Sequence, residues 1–270
     1  RFPDGTDTDG FFEKRCPGHR PDWVAVALGP GDRRGGIEYC CVEEPAAMVW
    51  AANMAAIELH APMALADALD VPRALVFDFD PGAPAAIAEC CAVAVAAREV
   101  LTAVGLEGWC KTSGSKGLQM YVPLNTPDAT HEAAADFALA VGQVLERQMP
   151  GEVTTVMAKA ERPGKIFVDW SQNAFHKTTI APYSLRARPE PTVSTPVAWD
   201  EVAEAHGVGV AAVQDAGAGD DERHPDLGVV QLGAMPDLLV ISERLAVTGG
   251  DDHERRARGG GAEHVGEEAI

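Results

Sequence analysis

Ala74-Leu75-Val76-Phe77-Asp78-Phe79-Asp80-Pro81-Gly82 is a short apolar segment that carries two carboxylates, two residues apart, into a turn. In a strand, successive side chains alternate faces. Leu75, Phe77 and Phe79 then share one face, and Asp78 and Asp80 the other. Two anions side by side raise each other's pKa unless a cation lies between them. A divalent metal on oxygen ligands is the usual resolution. The stretch therefore reads as a metal site at a strand end. A plain Asp-Pro-Gly turn is the competing reading, since all three residue types favour turns; such a turn needs only one Asp.

Working outward, strand and helix signals alternate, with hairpins between some strands. Trp23–Leu28 and Ile37–Val42 read as strands joined by the Gly-rich hairpin Gly29–Gly36. Ala46–Leu59 has helical composition, Pro84–Val104 is an Ala/Val-rich helix ended by Gly105, and Ala129–Gln148 is a third helix. Arg73–Asp80, Trp109–Thr112, Leu118–Pro123, Lys165–Trp170 and Ile180–Arg188 read as further strands. The expected fold class is α+β, a mixed or antiparallel sheet flanked by helices rather than a clean parallel βαβ series. Residues 1–205 form the expected catalytic domain and 206–248 a divergent part of it. The charged, Gly-rich 249–270 reads as a disordered tail.

The 270 residues, 46% of them hydrophobic, suffice for one large core or two smaller ones. No apolar run approaches the roughly twenty residues of a membrane span, so no membrane partner is expected. No signal peptide is visible, and the first residue is Arg rather than Met, as in a partial translation product. Two adjacent cysteine pairs and no CxxC fit neither a zinc site nor a secreted disulfide framework, which favours a reducing cytosol. The net charge of −19 counts against a nucleic-acid partner, but about half of the excess sits in residues 201–270.

Further constellations gather around the Asp pair. Phosphatases of the haloacid dehalogenase type also begin with a strand ending in DxD, but favour Thr or Val where this chain has Gly82. Sugar-nucleotide transferases carry DxD as well. Lys165-Ile166-Phe167-Val168-Asp169-Trp170 supplies a third acid on an apolar strand, as a two-metal phosphoryl-transfer site requires. The loop Lys111-Thr112-Ser113-Gly114-Ser115-Lys116-Gly117 offers small residues, through which backbone N–H groups can approach an anion, and lysine charge. Its spacing is not that of a P-loop. His60 reads as either a core histidine or a ligand; Lys177 and Arg186 read as surface charges or phosphate partners.

Taken together these segments resemble the polymerase domain of bacterial ATP-dependent DNA ligase D, of the archaeo-eukaryotic primase superfamily. The resemblance rests on Phe11-Phe12-Glu13-Lys14, Glu58-Leu59-His60, Phe77 to Gly82, Thr112 to Leu118, Phe167 to Asn173, and Lys177 to Arg186, in order over residues 1 to about 203. It implies a nucleotidyltransferase in which Asp78, Asp80 and Asp169 hold Mn2+ (or Mg2+). His60, Ser113, Lys116, Gln119, Gln172, Lys177 and Arg186 would contact the NTP or dNTP. Phe11, Phe12 and Lys14 would meet DNA, the aromatic pair stacking on template bases. It further implies ribonucleotide preference, DNA gaps or double-strand-break ends as substrate, Ku and an ATP-dependent DNA ligase as partners, and a cytoplasmic, nucleoid location.

Two departures stand out. Gln119 replaces a histidine usual in the family, so this position carries no positive charge and shuttles no proton. Members also carry a segment before the equivalent of Arg1, with basic residues that grip a recessed 5′-phosphate. A non-catalytic DNA-end-binding module of the same fold is the alternative reading.

Overall fold

The computed structural model describes residues 1–32 and 35–207. The expected divergent C-terminal part and tail lie outside them, apart from Gly207 and the end of the last helix. In chain order the elements are β1 (Val26–Asp32), β2 (Gly35–Cys40), α1 (Pro45–Asn53), β3 (His60–Ala61), β4 (Ala74–Pro81), α2 (Ile87–Ala103), β5 (Trp109–Thr112), β6 (Leu118–Pro123) and α3 (His131–Gln148). There follow β7 (Val153–Thr154), β8 (Ile166–Asp169), β9 (Thr179–Ile180), β10 (Leu185–Arg186), β11 (Thr192–Val193), β12 (Pro196–Val197) and α4 (Trp199–His206).

The principal sheet has the order β12-β5-β6-β4-β8-β7. Its pairs are antiparallel except β7 with β8. The mixed, largely antiparallel α+β sheet expected from the sequence is present. β4 lies at its centre, and its alternation divides the molecule. Leu75, Phe77 and Phe79 are fully buried with Leu118, Met120 and Val122 of β6 and Ile166 and Val168 of β8, under α2 and α3. Removing each such side chain from water stabilises the fold by about 1.5–3 kcal/mol. The opposite face carries Asp78 and Asp80, with the register partners Gln119 and Asp169 beside Asp78.

Local chemistry sets the boundaries. Thr130 Oγ1 accepts from Ala133 N–H at 3.1 Å and caps α3. Glu89 accepts from Ala86 N–H at 2.8 Å before α2, so that helix begins after the Pro84 turn. β1 and β2 run into the glycine-rich segment and leave a shorter connection than the expected hairpin loop.

Two expectations are corrected. Ile180–Arg188 is not one strand: Pro182 and Tyr183 separate β9 from β10, and Tyr183 has φ +62°, a conformation no strand accommodates. The cysteines are not all free thiols. Cys16 N–H donates to Glu38 O at 2.7 Å, which lays the N-terminal segment beside β2. Cys16 and Cys40, with Cα atoms 5.0 Å apart, form a disulfide, while Cys41, Cys90, Cys91 and Cys110 are free. Neither sequence spacing nor the adjacent pairs disclose that contact.

Candidate active site

The site is built on the polar face of β4, β6 and β8. Asp78 is the register partner of Asp169 on one side and of Gln119 on the other. Burial pushes the Asp78 carboxyl up to about 6; the hydrogen bond from Gln119 acts against this, and the charges of Asp169 and Asp80 add to it. Asp169 ends β8 and caps the following 3-10 turn, accepting from Ser171 N–H at 3.1 Å and Ser171 Oγ at 2.5 Å. Gln172 Nε2 donates to its other oxygen at 3.3 Å. Asp80 pairs with Lys116 at 2.9 Å, and Arg162 stands 3.8 Å away.

As they stand, no group of three His, Cys, Asp or Glu among the described residues could hold a metal ion. The donor chemistry nevertheless fits one. Asp78 and Asp169 are partners on adjacent strands with Asp80 two residues along, burial raises the proton affinity of Asp78, and such neighbouring negative charge is what a divalent cation relieves.

An open cleft of about 220 Å³ adjoins the aspartates. Asp78, Asp80 and Gln119 line its sheet side, and Ser113, Ser115, Lys116 and Gly117 its hairpin side. Ser113 Oγ accepts from Ser115 N–H at 3.2 Å and Gly117 N–H at 3.1 Å, so the β5–β6 hairpin is folded around its own serine. A Cβ on Gly117 would overlap the Phe79 carbonyl; glycine allows the hairpin to close onto β4.

The third wall comes from far along the chain. β3 pairs with β9, placing His60 opposite Ile180, and Thr178, Thr179, Gln172 and Arg186 line the cleft with His60. Tyr121 Oη and Thr179 Oγ1, 2.8 Å apart, fasten this small sheet to the large one.

The structure thus brings Asp78, Asp80, Asp169, His60, Ser113, Lys116, Gln119, Gln172 and Arg186 to one place. Lys177 does not line the cleft. It lies near Lys14, whose ammonium donates to the His176 carbonyl, and both lysines depress the His176 pKa after burial has lowered it. Phe11 and Phe12 are exposed, with Phe12 edge-on to His60 at 5.6 Å between centroids.

The sequence offers Lys111 only as a cation of the anion-approaching loop and gives Glu58 no role. Lys111 is buried; its ammonium donates to Gln119 Oε1 at 2.6 Å and Ser194 Oγ at 2.8 Å. Burial lowers its pKa to about 8, against the pull of Asp78. Gln119 Nε2 in turn donates to Asp78 Oδ1 at 3.2 Å, so one amide joins the cation to the carboxylate. Glu58 sits between His60 and Arg186. The alternation of β5 and β6 placed Lys111 and Gln119 on one face, which was the available signal; nothing local marked Glu58 beyond its place before His60.

The family model for LigD, primase-polymerase domain, matches residues 1–218. The chain belongs to that family. A LigD primase-polymerase domain implies nucleotidyltransferase chemistry, as the sequence resemblance did. The multifunctional non-homologous end joining DNA repair protein LigD of Mycobacterium tuberculosis is 41% identical over 210 residues, covering 75% of this chain and 27% of that protein. The bifunctional non-homologous end joining protein LigD of Bacillus subtilis is 30% identical over 202 residues, 75% of this chain and 32% of that protein. The chain therefore spans about a third or less of these relatives. Among solved structures, the polymerase domain from Mycobacterium tuberculosis Ligase D in complex with DNA matches with a TM-score of 0.68 and 37% identity, covering 81% of this chain and 84% of that one. No helix among the described residues is long and apolar enough to cross a membrane.

Proposed function

We propose that this primase-polymerase domain adds nucleotides, ribonucleotides by preference, to primer 3′ ends at DNA breaks or short gaps. In this reading it serves non-homologous end joining or gap repair in the bacterial cytoplasm at the nucleoid, with Ku and an ATP-dependent DNA ligase. The observation that carries the reading is a cleft floored by Asp78 and Asp80, with Asp169 paired beside Asp78 on the next strand, whose walls bring His60, Lys116 and Arg186. Anionic floor and cationic walls suit a substrate that presents a triphosphate to a bound cation. The relative solved with DNA supports the nucleic-acid substrate.

Asp78, Asp80 and Asp169 would hold Mn2+ or Mg2+. When bound, the ions supply charge neutralisation at the phosphates and a lowered pKa at the primer hydroxyl. The chain's own residues do the rest. Lys116 and Arg186 bind phosphate oxygens, Lys116 leaving Asp80 to do so. Gln119 holds Asp78 in place through its N–H and is itself held by Lys111. Gln172 donates to Asp169, and its buried Oε1 has no hydrogen-bond partner, so it offers an acceptor to the substrate. The exposed rings of Phe11 and Phe12 stack on template bases without choosing among them.

Primer extension on gapped DNA with Mn2+ and ribonucleotides tests this. Template-directed addition is the expected result. A gel shift of gapped DNA with no addition would favour the non-catalytic end-binding module, the reading that the Lys116–Asp80 ion pair supports.

A further inference from the structure

Glu58 does not line the cleft, yet it touches two residues that do. Its Oε2 lies 3.3 Å from His60 Nε2 and its Oε1 3.4 Å from Arg186 Nε. Oε1 also accepts from Ala187 N–H at 3.0 Å. The backbone on either side is fastened: Leu59 N–H donates to Ser184 Oγ and Ala181 N–H to Leu59 O, each at 2.8 Å. All three side chains are about one-fifth to one-quarter exposed. Arg186 Nε is buried without a well-formed hydrogen bond, so Glu58 holds it by charge rather than by directed bonding.

A carboxylate can only accept, so the proton between Glu58 and His60 resides on Nε2 of the imidazole. A neutral imidazole carries one N–H, which leaves Nδ1 with a lone pair. Burial holds His60 below its ordinary pKa; the hydrogen bond and charge of Glu58 oppose this, while Arg186 and Lys111 reinforce it. The ring is then neutral at pH 7. Phosphate oxygens are acceptors and gain nothing from a bare Nδ1. The donors that a nucleotide brings are its sugar hydroxyls and base amines, and a hydroxyl lies nearest the phosphates that Arg186 would take.

We infer that Glu58 is a positioning residue that fixes the His60 tautomer, so that the cleft reads a sugar hydroxyl of the incoming nucleotide beside a phosphate held by Arg186. This rests on the nucleotidyltransferase reading and adds to it a source of sugar discrimination. Glu58→Gln changes one atom in a way that inverts the contact. An amide that keeps Ala187 N–H on its oxygen turns its NH2 toward His60 Nε2, and the imidazole proton must move to Nδ1.

Two measurements test it. Imidazole 15N NMR of the nucleotide-free protein should show His60 protonated at Nε2, and in Glu58→Gln at Nδ1. Primer extension with ribonucleoside, 2′-deoxy and 3′-deoxy triphosphates should show Glu58→Gln losing about tenfold of the wild-type preference for the ribonucleotide over one of the analogues. The loss should fall mainly in KM, and the analogue affected identifies the hydroxyl. Wild-type protonation at Nδ1, or unchanged discrimination in both arms, overturns the role of Glu58. A wild-type protein that extends no primer overturns the nucleotidyltransferase reading itself, and the hydroxyl with it; the NMR result distinguishes that failure, because it needs neither nucleotide nor turnover.

Discussion

Asp78 and Asp169 are cross-strand partners at the centre of the sheet, held side by side by the antiparallel pairing of β4 with β8. Backbone hydrogen bonds thus hold together two side chains that repel. The fold bears that repulsion on a strand paired on both sides.

The cost should be visible as a pH dependence. Asp78 titrates near 6 in the folded state and near 3.9 unfolded. The folded chain therefore binds its proton more tightly, and stability from this group is present below about pH 4 and lost as pH rises through about 6. Asp78→Asn should be more stable than wild type at pH 8 by roughly 1–3 kcal/mol, with the gap closing toward pH 4. Urea denaturation at both pH values measures it. Mn2+ should raise the wild-type midpoint at pH 8 and do little for the variant.

Asp80→Ala should abolish primer extension, a loss of at least about a hundredfold, while gapped DNA shifts as before. Extension at the wild-type rate would remove Asp80 from the proposed metal set.

Gln119→Leu should destabilise the protein by about 1–3 kcal/mol, because buried Lys111 loses an acceptor and Asp78 a donor. Lys111→Met in that background should restore part of the loss, since it removes the stranded charge. A double-mutant cycle by chemical denaturation reads the coupling. Strictly additive effects would show that the amide link carries no energy.

Gly117→Ala should cost about 1–3 kcal/mol, because the new methyl meets the Phe79 carbonyl and the hairpin must lift from β4. Nucleotide affinity should fall with it, as Lys116 and Ser113 move away from Asp80. Calorimetric melting and nucleotide titration check the two effects.

Much of this was legible in the chain. The period-two alternation of β4 fixed which residues enter the core and which face the site, and the bounds expected for β5 and β6 are those observed. What escaped notice depends on partners distant in sequence. Glu58 means little until β3 pairs with β9, and Lys111 reads as a loop cation until β6 lays Gln119 beside it. Tyr183 breaks an otherwise strand-like run through a single backbone angle, and Cys16 meets Cys40 only because the N-terminal segment runs along β2.

The wall made by β3 and β9 is a two-residue ladder outside the principal sheet, fastened to it by the Tyr121–Thr179 hydroxyl pair. Its amides should exchange with solvent through a local opening of low free energy, while those of β4 exchange only on global unfolding. The wall that carries His60 and Arg186 can therefore loosen while the aspartates stay where they are. In the proposed reaction, that opening would let product leave and the next nucleotide enter without disturbing Asp78 and Asp80.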